Sequence, residues 1–194
     1  MASSPPTVLL FGHSFIRRLR DDLQTQFDPR ADEGFKLSKD AIVHLHGVGG
    51  RTVRKLIRYD LGVFSSLSPH AVILEIGTND LSDLRPEVVG SEIEELARLL
   101  LDSYAVRVIG HGVCEVRAPI FNDAALILNQ YLRGVLDPIP NVFCWQHRGF
   151  SEPSRDLYLS DGVHVNSPGQ NLLYHSYRSA ILQALRMLAC PPAP

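Results

Sequence analysis

The chain is poor in cysteine: Cys114, Cys144 and Cys190 are the only three in 194 residues, and none has Cys-x-x-Cys spacing. An odd, scattered set supports neither a disulfide framework nor a zinc site, so Cys114 and Cys144, inside apolar strand-like runs, read as small core residues. An excess of one charge is missing as well. Nineteen Lys and Arg against 21 Asp and Glu give a formal charge of −2 and a pI near 6.4. That supplies no basic field for a phosphate backbone, and no direct nucleic-acid binding is expected. Long hydrophobic runs are also lacking: Ala71–Leu74 and Ala124–Leu128 fall far short of the roughly 20 residues that cross a bilayer, so no transmembrane segment is expected. Met1-Ala-Ser-Ser-Pro-Pro6 has no charged segment followed by an apolar run. If this is the native start, the expectation is an intracellular, cytoplasmic protein.

What remains is an ordinary globular composition, 45% hydrophobic and 21% charged, of a length that suits one domain. Residues 7–189 read as that domain, with no internal repeat, and the proline-rich ends 1–6 and 190–194 read as linkers. Thr7-Val-Leu-Leu-Phe11 is a short apolar run that ends at Gly12; Phe15, Leu19 and Leu23 then recur like one face of a helix. The same alternation predicts strands at Ala41–Leu45, Ala71–Ile76, Arg107–Val113 and Asn141–Trp145. Helices are predicted at Thr52–Tyr59, Pro86–Ser103, Asp123–Leu136 and Pro168–Leu188, the last with Ser167 as cap and Pro168 at the first helical position. Apolar strands without strict alternation, separated by helices, imply a parallel sheet buried on both faces. The expected architecture is a three-layer α/β/α sandwich around five parallel strands, with flavodoxin-like order 2-1-3-4-5 as the economical topology.

Ligands in such sheets bind beyond the carboxyl edge, and four segments lie there. They are Gly12-His13-Ser14-Phe15, Gly47-Val-Gly-Gly50-Arg-Thr52, Gly77-Thr-Asn79-Asp80 and Asp161-Gly-Val-His164. A serine hydroxyl requires a base within reach and donors aimed at the oxyanion. Ser14, at a strand-to-helix turn, is suitably placed, although a helix cap is the commoner use of such a serine. Asp161 and His164, three apart, allow the carboxylate to accept Nδ1–H and leave Nε2 facing elsewhere; a surface acid and a surface histidine explain the pair equally well. Gly50 can bring its N–H close to a substrate oxygen, and Asn79 offers an amide. With the Ser14 N–H these would make three donors, each of the kind whose loss costs ~10²–10³ in rate. Both residues also suit ordinary turns.

Taken together, the chain resembles the SGNH (GDSL-like) serine hydrolase family, with Gly-x-Ser, a glycine, Gly-x-Asn-Asp and Asp-x-x-His in the family's order from Val8 to about Leu188. The segment Tyr158-Leu-Ser-Asp161-Gly-Val-His164-Val-Asn-Ser-Pro-Gly169 is similar to its last block almost throughout. The resemblance implies Ser14 as nucleophile, Gly50 and Asn79 completing the oxyanion hole, His164 as base and Asp161 orienting it. One position departs: the family usually has Gly-Asp-Ser, and His13 replaces the acid. Gly-His-Ser also resembles the esterase domains of first open reading frame proteins of some LINE-type retrotransposons. The α/β-hydrolase elbow Gly-x-Ser-x-Gly fits less well, because Ile16 stands where the second glycine would be.

Other candidates weigh less. His13 beside the nucleophile, Arg51 facing an anionic ester, and Phe15, Phe121, Tyr158 and Val163 lining an acyl pocket are possible substrate contacts, with solvation or core packing as the ordinary explanation. His44 and His46 share a strand face but lack a third ligand, so no metal site is expected, and no cofactor. Arg17-Arg18-Leu-Arg20 reads as a helix surface. The expected function is hydrolysis of small or exposed acyl esters of acetyl type through an acyl-enzyme, with activity falling as pH drops through about 6.5, where an ordinary histidine protonates. The alternatives are an inactive module that binds an acylated sugar or lipid, and a hydrolase serving a larger retroelement-type assembly.

Overall fold

The computed structural model describes residues 4–25, 31–112, 119–150 and 156–190, with the backbone alone for 119–121. Five strands, β1 (Thr7–Gly12), β2 (Ile42–Gly47), β3 (Ala71–Glu75), β4 (Val108–Gly112) and β5 (Val142–Cys144), form one parallel sheet in the order β2-β1-β3-β4-β5. The fold is the expected α/β sandwich. Helices α1 (Ser14–Gln24), α2 (Val53–Tyr59), α3 (Gly62–Leu67), α4 (Pro86–Ser103), α5 (Pro119–Leu136) and α6 (Ser167–Ala189) supply the crossovers. Among the described residues no helix is long and apolar enough to cross a membrane.

Period-2 alternation along buried strands divides the core between two layers. Val8 and Leu10 of β1 face α1 and α6, packing with Phe15, Leu19, Leu173, Tyr177 and Ile181. Leu9 and Phe11 face the opposite layer, with Val53, Phe64, Ile93, Leu96 and Leu128. The strand register aligns Gly47, Gly12, Glu75 and Gly112 in one row across β2, β1, β3 and β4. Three glycines thus flank one acid at the carboxyl edge. A Cβ on Gly12 would stand 2.0 Å from Glu75 O, and one on Gly47 would stand 2.3 Å from Arg17 N. The missing side chains let the Glu75 carbonyl close on the end of β1 and let α1 begin hard against the end of β2.

Several boundaries differ from the sequence-based expectation. β5 is shorter because Asn141 adopts φ 65°, a left-handed turn conformation rather than an extended one. Helix α3 was not expected: Gly62-Val-Phe-Ser-Ser-Leu67 is short, begins on a weak helix former and buries only Phe64. α5 begins at Pro119, four residues before Asp123. α6 is capped by Asn166, whose side chain accepts from Gly169 N–H at 3.1 Å, so Ser167 is already helical. Cys144 is half-buried, and burial, aided by Asp137, pushes its thiol up to about 12, an inert thiol. Cys114 and Val113 lie outside the described residues.

Candidate functional site

Ser14 is the first residue of α1, but it is not the cap. That place belongs to His13, whose Nδ1 accepts the Phe15 N–H at 3.4 Å. The Ser14 hydroxyl is therefore not spent on the helix terminus. His13 is 1% exposed, and burial lowers it to about 4 against the partly opposing charge of Glu75, so it stays neutral with its proton on Nε2. It lies beneath the surface as a turn-shaping group, removed from any solvent-facing contact with substrate.

Ser14 Oγ lies 3.1 Å from His164 Nε2, and His164 Nδ1 lies 2.8 Å from Asp161 Oδ2. The other carboxylate oxygen, Oδ1, accepts the N–H groups of Val163 and His164, both at 2.9 Å. The hydrogen bond from His164, then those from the two amides, hold the Asp161 carboxyl well below the usual range. Asp161 is thus an anion that accepts Nδ1–H, which leaves Nε2 as acceptor for the Ser14 hydroxyl proton. The tight Asp161–His164 turn leads into α6, and the isolated bridge between Tyr158 and Val165 closes its base.

Gly50 and Asn79 sit on the neighbouring strand ends. Gly50 has φ +70°, and a Cβ there would meet nothing within 4 Å. The glycine is required by left-handed backbone rather than by crowding within the chain. Asn79 Nδ2 donates to Arg51 O at 2.8 Å, bracing the loop that carries Gly50; an amide nitrogen has a second N–H for another acceptor. Asp80 continues the brace, its Oδ1 accepting Val53 N–H at 3.0 Å. Burial, with Glu92 nearby, pushes the Asp80 carboxyl up to about 6.

The remaining candidates fall elsewhere. Arg51 is half-buried, and its guanidinium is committed to a two-point ion pair with Asp60, at 2.6 and 3.2 Å, rather than held free for an anion. His46 approaches the same carboxylate at 3.4 Å and packs on Phe11. Phe15 and Tyr158 are 1% and 9% exposed members of the core beneath α1 and α6, so core packing takes them from the expected acyl pocket. Val163 is half-buried beside His164, while the Phe121 side chain lies outside the described residues. Arg17 and Arg20 pair with Asp21 on the surface of α1. Among the described residues no cluster of three or more His, Cys, Asp or Glu could hold a metal ion.

A polar group that sequence reasoning missed lies under this edge. Glu75, fully buried at the end of β3, accepts from Tyr177 O–H at 2.9 Å and pairs with His147 Nε2 at 2.8 Å. A lone acid inside the apolar run Ala71–Ile76 is the available signal, since an acid is almost never fully buried without a partner.

Comparison with known proteins bears on the fold and the family. Solved structures share the fold at low identity. A GDSL-like lipase from Bacteroides thetaiotaomicron VPI-5482 has TM-score 0.66 and 17% identity, covering 94% of this chain and 93% of that one. The psychrotrophic esterase EstA from Pseudoalteromonas sp. gives 0.63 and 15%, over 93% and 99%. An acetyl-xylooligosaccharide esterase from Geobacillus Stearmophilus, in a mutant form, gives 0.64 and 16%, over 94% and 95%. No curated protein matches the chain. The GDSL-like lipase/acylhydrolase family model matches residues 10–176, most of the chain, from the nucleophile strand into α6, and the protein therefore belongs to that family.

Proposed function

We propose that the protein is a serine esterase that hydrolyses small or exposed acyl esters of acetyl type. The observation that carries this reading is the Asp161–His164–Ser14 hydrogen-bond chain, at 2.8 and 3.1 Å, assembled at the carboxyl edge of the sheet. Ser14 Oγ attacks the ester carbonyl carbon while its proton passes to His164 Nε2, and the negative charge on the carbonyl oxygen is received by the Ser14 and Gly50 N–H groups and the Asn79 amide. Collapse expels the alcohol, which takes the proton from His164, leaving an acyl-Ser14 ester. Water then attacks, giving its proton to His164; that proton returns to Ser14 as the acid departs. Family membership supports the reaction class. The description of EstA as an esterase is in keeping with that class, and the acetyl-xylooligosaccharide esterase, by its own description, supports the acyl size.

His13, in place of the family's usual acid, is the feature that invites a binding module without turnover. Its role as a buried, neutral cap argues for the enzyme, because it leaves the Ser14 hydroxyl to His164. The narrower likeness to a retrotransposon esterase domain rests on Gly12-His13-Ser14 alone, and the family match lends it no support. The test is turnover of p-nitrophenyl acetate against longer acyl chains, with covalent labelling of Ser14 by a fluorophosphonate. Acetate is expected to be preferred and Ser14→Ala to lose both turnover and label. Full activity in Ser14→Ala refutes the assignment.

A further inference from the structure

Ser14 and His164 are 150 residues apart in sequence, and hydrolysis as proposed above requires them to stay within hydrogen-bond reach. Ser14 rides on the turn between β1 and α1, and His164 on the loop that enters α6. The packing of α1 against α6 and the sheet is apolar, through residues such as Phe15, Leu173 and Ile181. Apolar packing is non-directional; hydrogen bonds are directional and fix a position more closely.

One residue bonds to both parts. The Glu75 carbonyl oxygen accepts His13 N–H at 3.2 Å, fixing the turn that presents Ser14. Its carboxylate accepts the hydroxyl of Tyr177, a fully buried residue of α6. We infer that Glu75 is a positioning residue for the proposed hydrolysis, holding α6, and with it the His164 loop, in register with the Ser14 turn. This rests on the esterase reading for its function, but the linkage itself is a matter of geometry.

The surroundings of Glu75 show how the carboxylate is kept in place. His13 faces it from the β1–α1 turn, His111 from β4, His147 from the segment after β5 and Tyr177 from α6. Burial alone would push its carboxyl up; the charge and hydrogen bond of His147, with the hydrogen bond of Tyr177, outweigh it, and the carboxyl is held below its usual range. His147 is itself anchored, its Nδ1 lying 2.9 Å from Ser176 Oγ, which also accepts from Trp145 Nε1 at 3.0 Å. Ser176–His147–Glu75 thus repeats the order hydroxyl, imidazole, carboxylate. Ser176, however, lies inside α6, where neighbouring amides are committed to the helix and cannot receive an oxyanion. This second array is an anchor.

The test compares Tyr177→Phe and Glu75→Gln with Ile181→Val, a core variant of α6 outside the network. Each is assayed for kcat and KM on p-nitrophenyl acetate at a temperature where circular dichroism shows it folded. Tyr177→Phe and Glu75→Gln are expected to lose about tenfold in kcat with KM nearly unchanged, since small misplacement of reacting groups is costly. Ile181→Val is expected to lower Tm while keeping kcat. Should Glu75→Gln fail to fold, Tyr177→Phe decides. Unchanged kcat in Tyr177→Phe, or an equal loss in Ile181→Val, overturns the inference. If the wild-type protein neither turns over ester nor labels at Ser14, the esterase reading fails separately. The linkage is then judged from imidazole ¹⁵N spectra, where Tyr177→Phe must alter the His164 signals and Ile181→Val must not.

Discussion

Replacing Asp80 with asparagine should stabilise the protein at neutral pH and hardly at all in acid. Asp80 is 2% exposed, and its one hydrogen-bonded oxygen accepts from Val53 N–H; Oδ2 has no hydrogen-bond partner among the described residues. Burial raises its carboxyl from 3.8 to about 6. A raised carboxyl means that the folded state binds the proton more tightly than the unfolded chain. Its contribution to stability is therefore most favourable below about pH 4 and is lost as pH rises through 6. At about 1.4 kcal/mol per pKa unit, a shift of some two units corresponds to up to about 3 kcal/mol lost by pH 7 to 8. Asparagine keeps the acceptor for Val53 N–H and carries no charge. Urea unfolding of both proteins at pH 4, 5, 6, 7 and 8 measures the difference; other titrating groups are common to both and largely cancel. The gain should grow between pH 4 and 7 and then level off. A difference that is flat with pH, or that grows toward acid, refutes the assignment of an unfavourable buried charge to Asp80.

Two further outcomes follow from the site. Asp161→Asn can still accept the Val163 and His164 amides, but its NH₂ group would face Nδ1 and move the imidazole proton to Nε2. Steady-state kinetics should show kcat reduced on the order of 10³- to 10⁴-fold with KM little changed, and a loss below about tenfold would remove Asp161 from the mechanism. Gly50→Ala forces a side chain into φ +70°, at roughly 1–2 kcal/mol. If Gly50 N–H receives the oxyanion, kcat should fall with KM unchanged; the kcat of the wild type would restrict Gly50 to a turn.

The division between what was legible and what was not follows from how far each signal reaches along the chain. Strand and helix types, the parallel sheet and the four edge segments are written locally, in apolar runs, caps and glycines. The economical strand order follows from handedness and short connections, and the sheet has that order. The roles at helix starts were less legible. Ser14 and Ser167 both look like caps, yet His13 and Asn166 hold those positions, because a shift of one residue decides which side chain meets the free amides. Phe15, Tyr158 and Arg51 could have faced substrate as far as residue type goes; packing and Asp60 claim them.

By itself the sequence determined which residue types stand at the ends of β1, β2 and β3 and before α6, since periodicity and turn chemistry act over a few residues. Only the tertiary structure decided that Ser14 Oγ meets His164 Nε2, and that Glu75, His147 and Tyr177 converge beneath them. Those contacts join strand ends and helices far apart in the chain, and a hydrogen bond depends on separations of a few tenths of an ångström that no local pattern encodes.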